Sequence, residues 1–78
     1  MNKQEFDSLA PGMWLTHAGK VYKITAQQSF AATYFQLTEM EYDKQSDEWL
    51  EGREVYMNRY FLVGWEVYNP NEISTERE

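Results

Sequence analysis

Short runs of aromatic and β-branched residues alternate with polar positions along this chain, and turn-forming residues separate the runs. The first segment is the exception. Residues 3–9 place Phe6 and Leu9 three apart, the spacing of one helical face, and Asn2 stands at the N-cap position. Ala10-Pro11-Gly12 ends this short helix, because proline restricts the residue before it and glycine suits a turn. Met13-Trp14-Leu15-Thr16-His17 then reads as a strand, Ala18-Gly19 as a two-residue connection, and Val21-Tyr22-Lys23-Ile24-Thr25 as the returning strand of a hairpin. Alternation puts Lys20, Tyr22, Ile24 and Ala26 on one face and Val21, Lys23 and Thr25 on the other, which predicts a sheet with one buried face.

Gln27-Gln28-Ser29 reads as a connection, and residues 33–42 as a third strand, with Phe35 and Leu37 on one face and Tyr34, Gln36 and Thr38 on the other. Asp43-Lys44-Gln45-Ser46-Asp47 has turn composition. A fourth strand spans 48–57, and Gly52 within it marks a bulge or bend. Asn58-Arg59-Tyr60 is a tight turn or a single helical turn. Residues 64–68 form the last strand, with Trp65 and Val67 inward, and Asn69-Pro70-Asn71 stops it. A helix beginning near Asp47 competes for part of this region, since 38–51 contains no glycine or proline. Its aromatics do not keep a 3.6-residue spacing, so the hairpin is preferred.

Five short strands with turn signals between them predict a mainly β fold: a small five-stranded bent sheet or SH3-like barrel with a short N-terminal helix. The layout over residues 13–68 resembles the SH3-like class of small barrels in architecture; no motif of a particular family accompanies it. The predicted core is Trp14, Tyr22, Ile24, Phe35, Leu37, Val55, Phe61, Trp65 and Val67, with Phe6, Tyr56 and Trp49 as further aromatic contributors.

A chain of 78 residues supports one domain, here 1–70, with 71–78 as a flexible polar tail. It buries only about 60% of its unfolded surface, which leaves no depth for a large enclosed cofactor. Aromatics, at 17% of residues, compensate with much buried area per side chain. The absence of cysteine removes disulfides, thiolate metal sites and cysteine nucleophiles. With an N-terminus that lacks the apolar run of a signal peptide, and no apolar stretch longer than residues 60–65, a cytoplasmic location is expected and a membrane partner is not.

Charge changes the picture more. The net charge is −6, and residues 39–54 alone hold seven acids against Lys44 and Arg53, a net −5. Direct binding of DNA or RNA needs the opposite sign, so a patch of Lys20, Lys23 and neighbouring aromatics is a minor possibility.

Candidate chemistry is sparse. His17 is the only histidine and has no convergent nucleophile or carboxylate in view. Asp43, Gln45, Asp47, Glu51 and Glu54 fall at offsets 1, 3, 5, 9 and 12 of an EF-hand-like loop, but Glu48 occupies the glycine position and no helix pair flanks it. Glu39 and Glu41 share a strand face, yet acids surround them, and a charged edge that resists aggregation explains them as well as acid–base catalysis. No phosphate loop or hydrolase motif is present. The expectation is a protein that is not an enzyme and takes no cofactor or metal.

What remains is an acidic, tyrosine-containing hairpin. Carboxylates on every second strand residue repeat at about 6.6–6.8 Å, a distance of the same order as the phosphate repeat along one nucleic-acid strand. Glu39, Glu41, Tyr42, Asp43, Asp47, Glu48 and Glu51 are therefore the expected partner-binding residues. The expected function is non-catalytic interaction with a protein partner. One form is a phage or mobile-element inhibitor that occupies the basic nucleic-acid groove of a host nuclease or defence enzyme. The alternative is a regulatory or scaffolding module with an ordinary peptide or subunit interface, for which the first hairpin around His17 and Lys20, or the turn at Arg59 and Tyr60, is the next candidate surface.

Overall fold

A computed structural model describes residues 1–29 and 31–70; the polar tail expected over 71–78 lies outside the described residues. A short helix, α1 (Lys3–Asp7), opens the chain. Its start is a reciprocal cap. The Glu5 backbone N–H donates to Asn2 Oδ1 at 2.7 Å, and the Asn2 N–H donates to Glu5 Oε1 at 3.0 Å. The helix ends two residues sooner than its apolar spacing suggests, yet Leu9 is still buried and Phe6 packs against the core.

Five antiparallel strands follow: β1 (Trp14–His17), β2 (Lys20–Ser29), β3 (Thr33–Asp43), β4 (Glu48–Asn58) and β5 (Glu66–Tyr68). Ala18 and Gly19 both take positive φ, 52° and 79°, as a two-residue hairpin turn between right-twisted strands requires. Between β4 and β5 lies a single 3-10 turn, η1 (Arg59–Leu62), whose Tyr60 N–H donates to the Asn58 side chain at 3.0 Å. The helix that competed for part of 38–51 does not form.

The sheet order is β4-β3-β2-β1-β5. No ladder joins β4 to β5, so the sheet is open and strongly bent, and of the two expected forms the SH3-like barrel is not the one adopted. Two bulges shape it. Between the pairs Thr38–Glu54 and Met40–Glu51, the lone residue Glu39 faces both Gly52 and Arg53. A Cβ at Gly52 would stand 3.1 Å from the Glu39 carbonyl oxygen, a tight contact that glycine avoids. The second bulge is at Thr25, between the pairs Ile24–Leu37 and Ala26–Gln36, where Thr25 Oγ1 donates to the Gln36 carbonyl at 3.2 Å. It reverses the alternation of β2, so Ala26 lies on the face opposite to Tyr22 and Ile24, not with them.

One face carries the main core. Leu15, Ile24, Phe35 and Leu37 are fully buried there beneath Leu9, Leu62 and Trp65. Arg59 ties the cover together: its guanidinium lies 4.6 Å from the centre of the Phe6 ring and donates to the Phe6 carbonyl and Asp7 Oδ1, both at 3.3 Å. Four expected core positions differ. Trp14 lies on the opposite face and its neighbour Leu15 takes the core position. Phe61 is 72% exposed, because the 3-10 turn aims Leu62 inward instead. Val67 is 38% exposed on the short edge strand β5, and Tyr56 projects from edge strand β4 at 64%.

This one-residue phase is testable. Leu62→Ala should cost about 2–5 kcal/mol and Trp65→Ala about 3–5 kcal/mol, close to the whole stability of a small domain. Phe61→Ala should change it by no more than about 0.5 kcal/mol. Urea denaturation of the three variants measures the difference.

Candidate functional site

The ladder between β2 and β3 stops where Val21 faces Met40, while that between β3 and β4 continues through the pairs Glu41–Leu50, Tyr42–Trp49 and Asp43–Glu48. The end of the β3–β4 hairpin is thus an arm that outruns the rest of the sheet. Six of the seven residues expected at the site lie at or beyond this point, Glu39 lies just before it, paired with Tyr22, and the fold uses them in different ways.

Tyr42, Asp43 and Asp47 build the turn. Asp43 accepts from the Gln45 N–H at 3.0 Å and from Ser46 Oγ at 2.9 Å, and the Asp47 N–H donates to the Asp43 carbonyl at 2.8 Å. The Tyr42 hydroxyl donates to Asp47 Oδ1. Asp47 takes φ 59°, a left-handed conformation that aspartate tolerates better than most residues. Glu39 is also committed within the fold: its carboxylate lies 3.7 Å from Lys20 Nζ and 3.9 Å from Arg53 Nη2. Glu54 accepts from Gln36 Nε2 at 3.0 Å.

Glu41, Glu48 and Glu51 remain. All three are exposed, and their side chains make no hydrogen bond or ion pair among the described residues. Register places Glu39, Glu41, Asp43 and Glu48 on one face of the arm, and Glu51 on the other with Met40 and Tyr42. The arm therefore presents carboxylates on both sides, and the spacing expected for Glu39, Glu41 and Asp43 holds along one of them. The five offsets of the EF-hand-like pattern are spread along two strands and a turn, and no group of three or more potential metal ligands converges among the described residues.

The second face of the sheet contains a feature that alternation alone does not reveal. Trp49 meets Trp14, Tyr42 and Tyr68 edge-on, with ring centres 5.1, 5.3 and 5.9 Å away. These rings come from β1, β3, β4 and β5, so side chains bridge the two edges that hydrogen bonds leave open. Thr38 and Met40 are buried on the same face. Beside this cluster, Gly19, Lys20, Val21, Glu39, Met40, Glu41, Tyr42, Trp49 and Tyr68 line an open groove of about 490 Å³. Of these, Glu39, Glu41 and Tyr42 were expected at a site; Trp49 and Tyr68 were not. A hairpin turn over 44–47 sets Tyr42 opposite Trp49, a pairing readable from the sequence once that turn is assigned. The contribution of Tyr68 depends on the bend and leaves no local signal.

His17 lies outside this arrangement. It is exposed, and its ring stacks on Trp65 at 4.9 Å with the planes 2° apart, a packing contact with no catalytic geometry.

Each edge-on aromatic contact contributes about 0.5–1.5 kcal/mol beyond area burial. Trp49→Ala should therefore cost about 2–4 kcal/mol and remove much of the near-ultraviolet circular dichroism, although Trp49 is only half-buried. Thermal unfolding and near-ultraviolet spectra of the variant test this.

Comparison with protein-family models, with characterised proteins and with solved structures finds no match to this chain.

Proposed function

We propose that this chain is a non-catalytic interaction protein that presents its β3–β4 arm to a basic surface of a protein partner. The observation that carries this reading is the set of exposed carboxylates Glu41, Glu48 and Glu51, unpaired among the described residues, on an arm whose residues 39–54 carry a net charge of −5. A rigid hairpin holds these charges at strand spacing and pays little ordering entropy on binding. Opposite charge steers association and suppresses wrong partners. A groove built for nucleic acid offers the complementary surface, and a phage or mobile-element inhibitor of a host nuclease or defence enzyme is the form of this function that we favour. It acts in the cytoplasm, where such enzymes meet nucleic acid.

Affinity capture from the host followed by competition with DNA or RNA tests the reading. The captured partner should be basic and should exchange this chain for nucleic acid. Recovery of only neutral or acidic partners would contradict it. Glu39 and Asp43 are unsuitable probes, because reversing them breaks an ion-pair pair or the turn. Combined Glu41→Lys, Glu48→Lys and Glu51→Lys substitution should weaken capture by more than about tenfold at low salt. The fold should be retained, as judged by circular dichroism, since exposed surface substitutions change stability little.

One observation favours a second reading, a regulatory or scaffolding module with an ordinary apolar interface. Tyr60, Phe61 and Val63 are 74%, 72% and 60% exposed in and just after η1, close together in the chain. Aromatic residues of this kind act as anchors at protein interfaces. Under this reading, partner binding persists at high ionic strength, where exposed charges are screened within about 8 Å or less. It is then lost in a Phe61→Asp variant and kept in the triple charge reversal.

A further inference from the structure

The groove beside Trp49 holds chemistry that the acidic arm alone does not. Tyr42, Trp49 and Tyr68 bring half-buried rings to it, and Val21 and Met40 add aliphatic surface. Glu39 and Glu41 also line it, but register turns their side chains to the opposite face of the arm, so they charge its rim and not its aromatic wall. Its one lining cation, Lys20, sits 3.7 Å from Glu39. The groove is thus aromatic, net negative and open to solvent. Ring faces and rim charge both attract a cation and both disfavour a phosphate or carboxylate.

We propose that this groove seats an arginine side chain from an exposed segment of the protein partner, packed against the aromatic wall of Tyr42, Trp49 and Tyr68 within the field of the acidic arm. The inference rests on the reading of the arm as a partner-binding element and adds the anchor that surface charge by itself lacks. Guanidinium suits the site better than ammonium: it is planar, weakly hydrated and stacks on aromatic rings. About 490 Å³ accommodates one long side chain and leaves room for its backbone at the open side. A metal ion would need converging ligands, which the described residues do not supply. A nucleobase would stack on the same rings but would bring its phosphates against the net −5 of residues 39–54.

The test titrates the full chain with oligoarginine, with oligolysine and oligothymidine of equal length as the contrasting probes, at low and at high salt. The indole N–H resonances of Trp14, Trp49 and Trp65 are followed by NMR. Oligoarginine should shift Trp49 and leave Trp65, on the other face of the sheet, unmoved. It should bind more tightly than oligolysine and keep measurable affinity at high salt. Tyr68→Leu should weaken it by about tenfold or more, whereas Glu48→Lys, at the tip, should weaken only low-salt binding. The resonance mapping uses the unmodified chain, so a poorly folded variant does not remove the test. If Tyr68→Leu binds normally while Glu48→Lys loses low-salt binding, the groove proposal is overturned and the arm reading stands. If Tyr68→Leu is impaired and Glu48→Lys is not, the groove stands and the arm reading fails. Equal affinity for oligolysine, or a Trp49 shift with oligothymidine, overturns arginine as the occupant.

Discussion

The bend of the sheet at Gly52 is the constraint on which the rest of this structure depends. Two residues of β4 face the single residue Glu39 of β3, and a side-chain carbon at Gly52 would crowd the Glu39 carbonyl at 3.1 Å, so the strands would have to give by a few tenths of an ångström to admit one. A bulge of this kind raises local twist and turns the strand. Beyond it the β3–β4 arm curls across the second face. Trp49 then reaches Trp14 and Tyr68, which lie on strands at the far side of the sheet. A flat five-stranded sheet of this length would leave both its edges and one whole face to solvent.

The bend also accounts for how a small chain uses so many aromatic residues. One core on one face is too small to hold them all, and the molecule does not try. Aliphatic residues dominate the face beneath α1 and η1, with Phe35 and Trp65 among them. The rings of Trp14, Tyr42, Trp49 and Tyr68 pack edge-on across the other, half-buried, and the last three line the groove. Edge-on packing satisfies ring electrostatics without full enclosure. A cluster of this kind stabilises the bend and at the same time presents an aromatic surface to solvent.

Much of this was legible in the chain. Asn2 forms the expected cap, Ala18-Gly19 the expected turn, and Gly52 the expected irregularity, because each is a local conformational demand met by a local residue type. The errors concern phase. Leu15 and Trp14, or Leu62 and Phe61, are adjacent apolar pairs, and a strand or single turn must send one inward and one outward; volume favours the aromatic, but the sheet took the aliphatic residue in both cases. Thr25 gave no sign of its bulge, since threonine is an ordinary strand residue, and the reversal it introduces placed Ala26 on the wrong face. At the site, acidic and turn-forming roles look alike in sequence. Asp43 and Asp47 read both as turn residues and as partner-binding acids, and the fold commits them to the turn that positions Tyr42 against Trp49.

The acids left over meet a second requirement that need not conflict with binding. β4 is an open edge of eleven residues, long enough to recruit another strand. Glu48, Glu51, Arg53 and Glu54 and the bulge at Gly52 make that edge a poor template for a neutral strand, while leaving it attractive to a basic surface. The exposed aromatic patch of η1 sits at the other end of β4, where Asn58 faces Tyr34, ten residues from Glu48. At about 3.3 Å per residue, an extended strand of that length spans roughly 33 Å, comparable with the 44 Å long axis of the molecule. The charged arm and the apolar turn are therefore separate surfaces, each able to be altered without touching the other. Both stand at ends of one strand whose middle is fixed by the bulge, so a partner at either end would meet a preformed surface rather than one it must order.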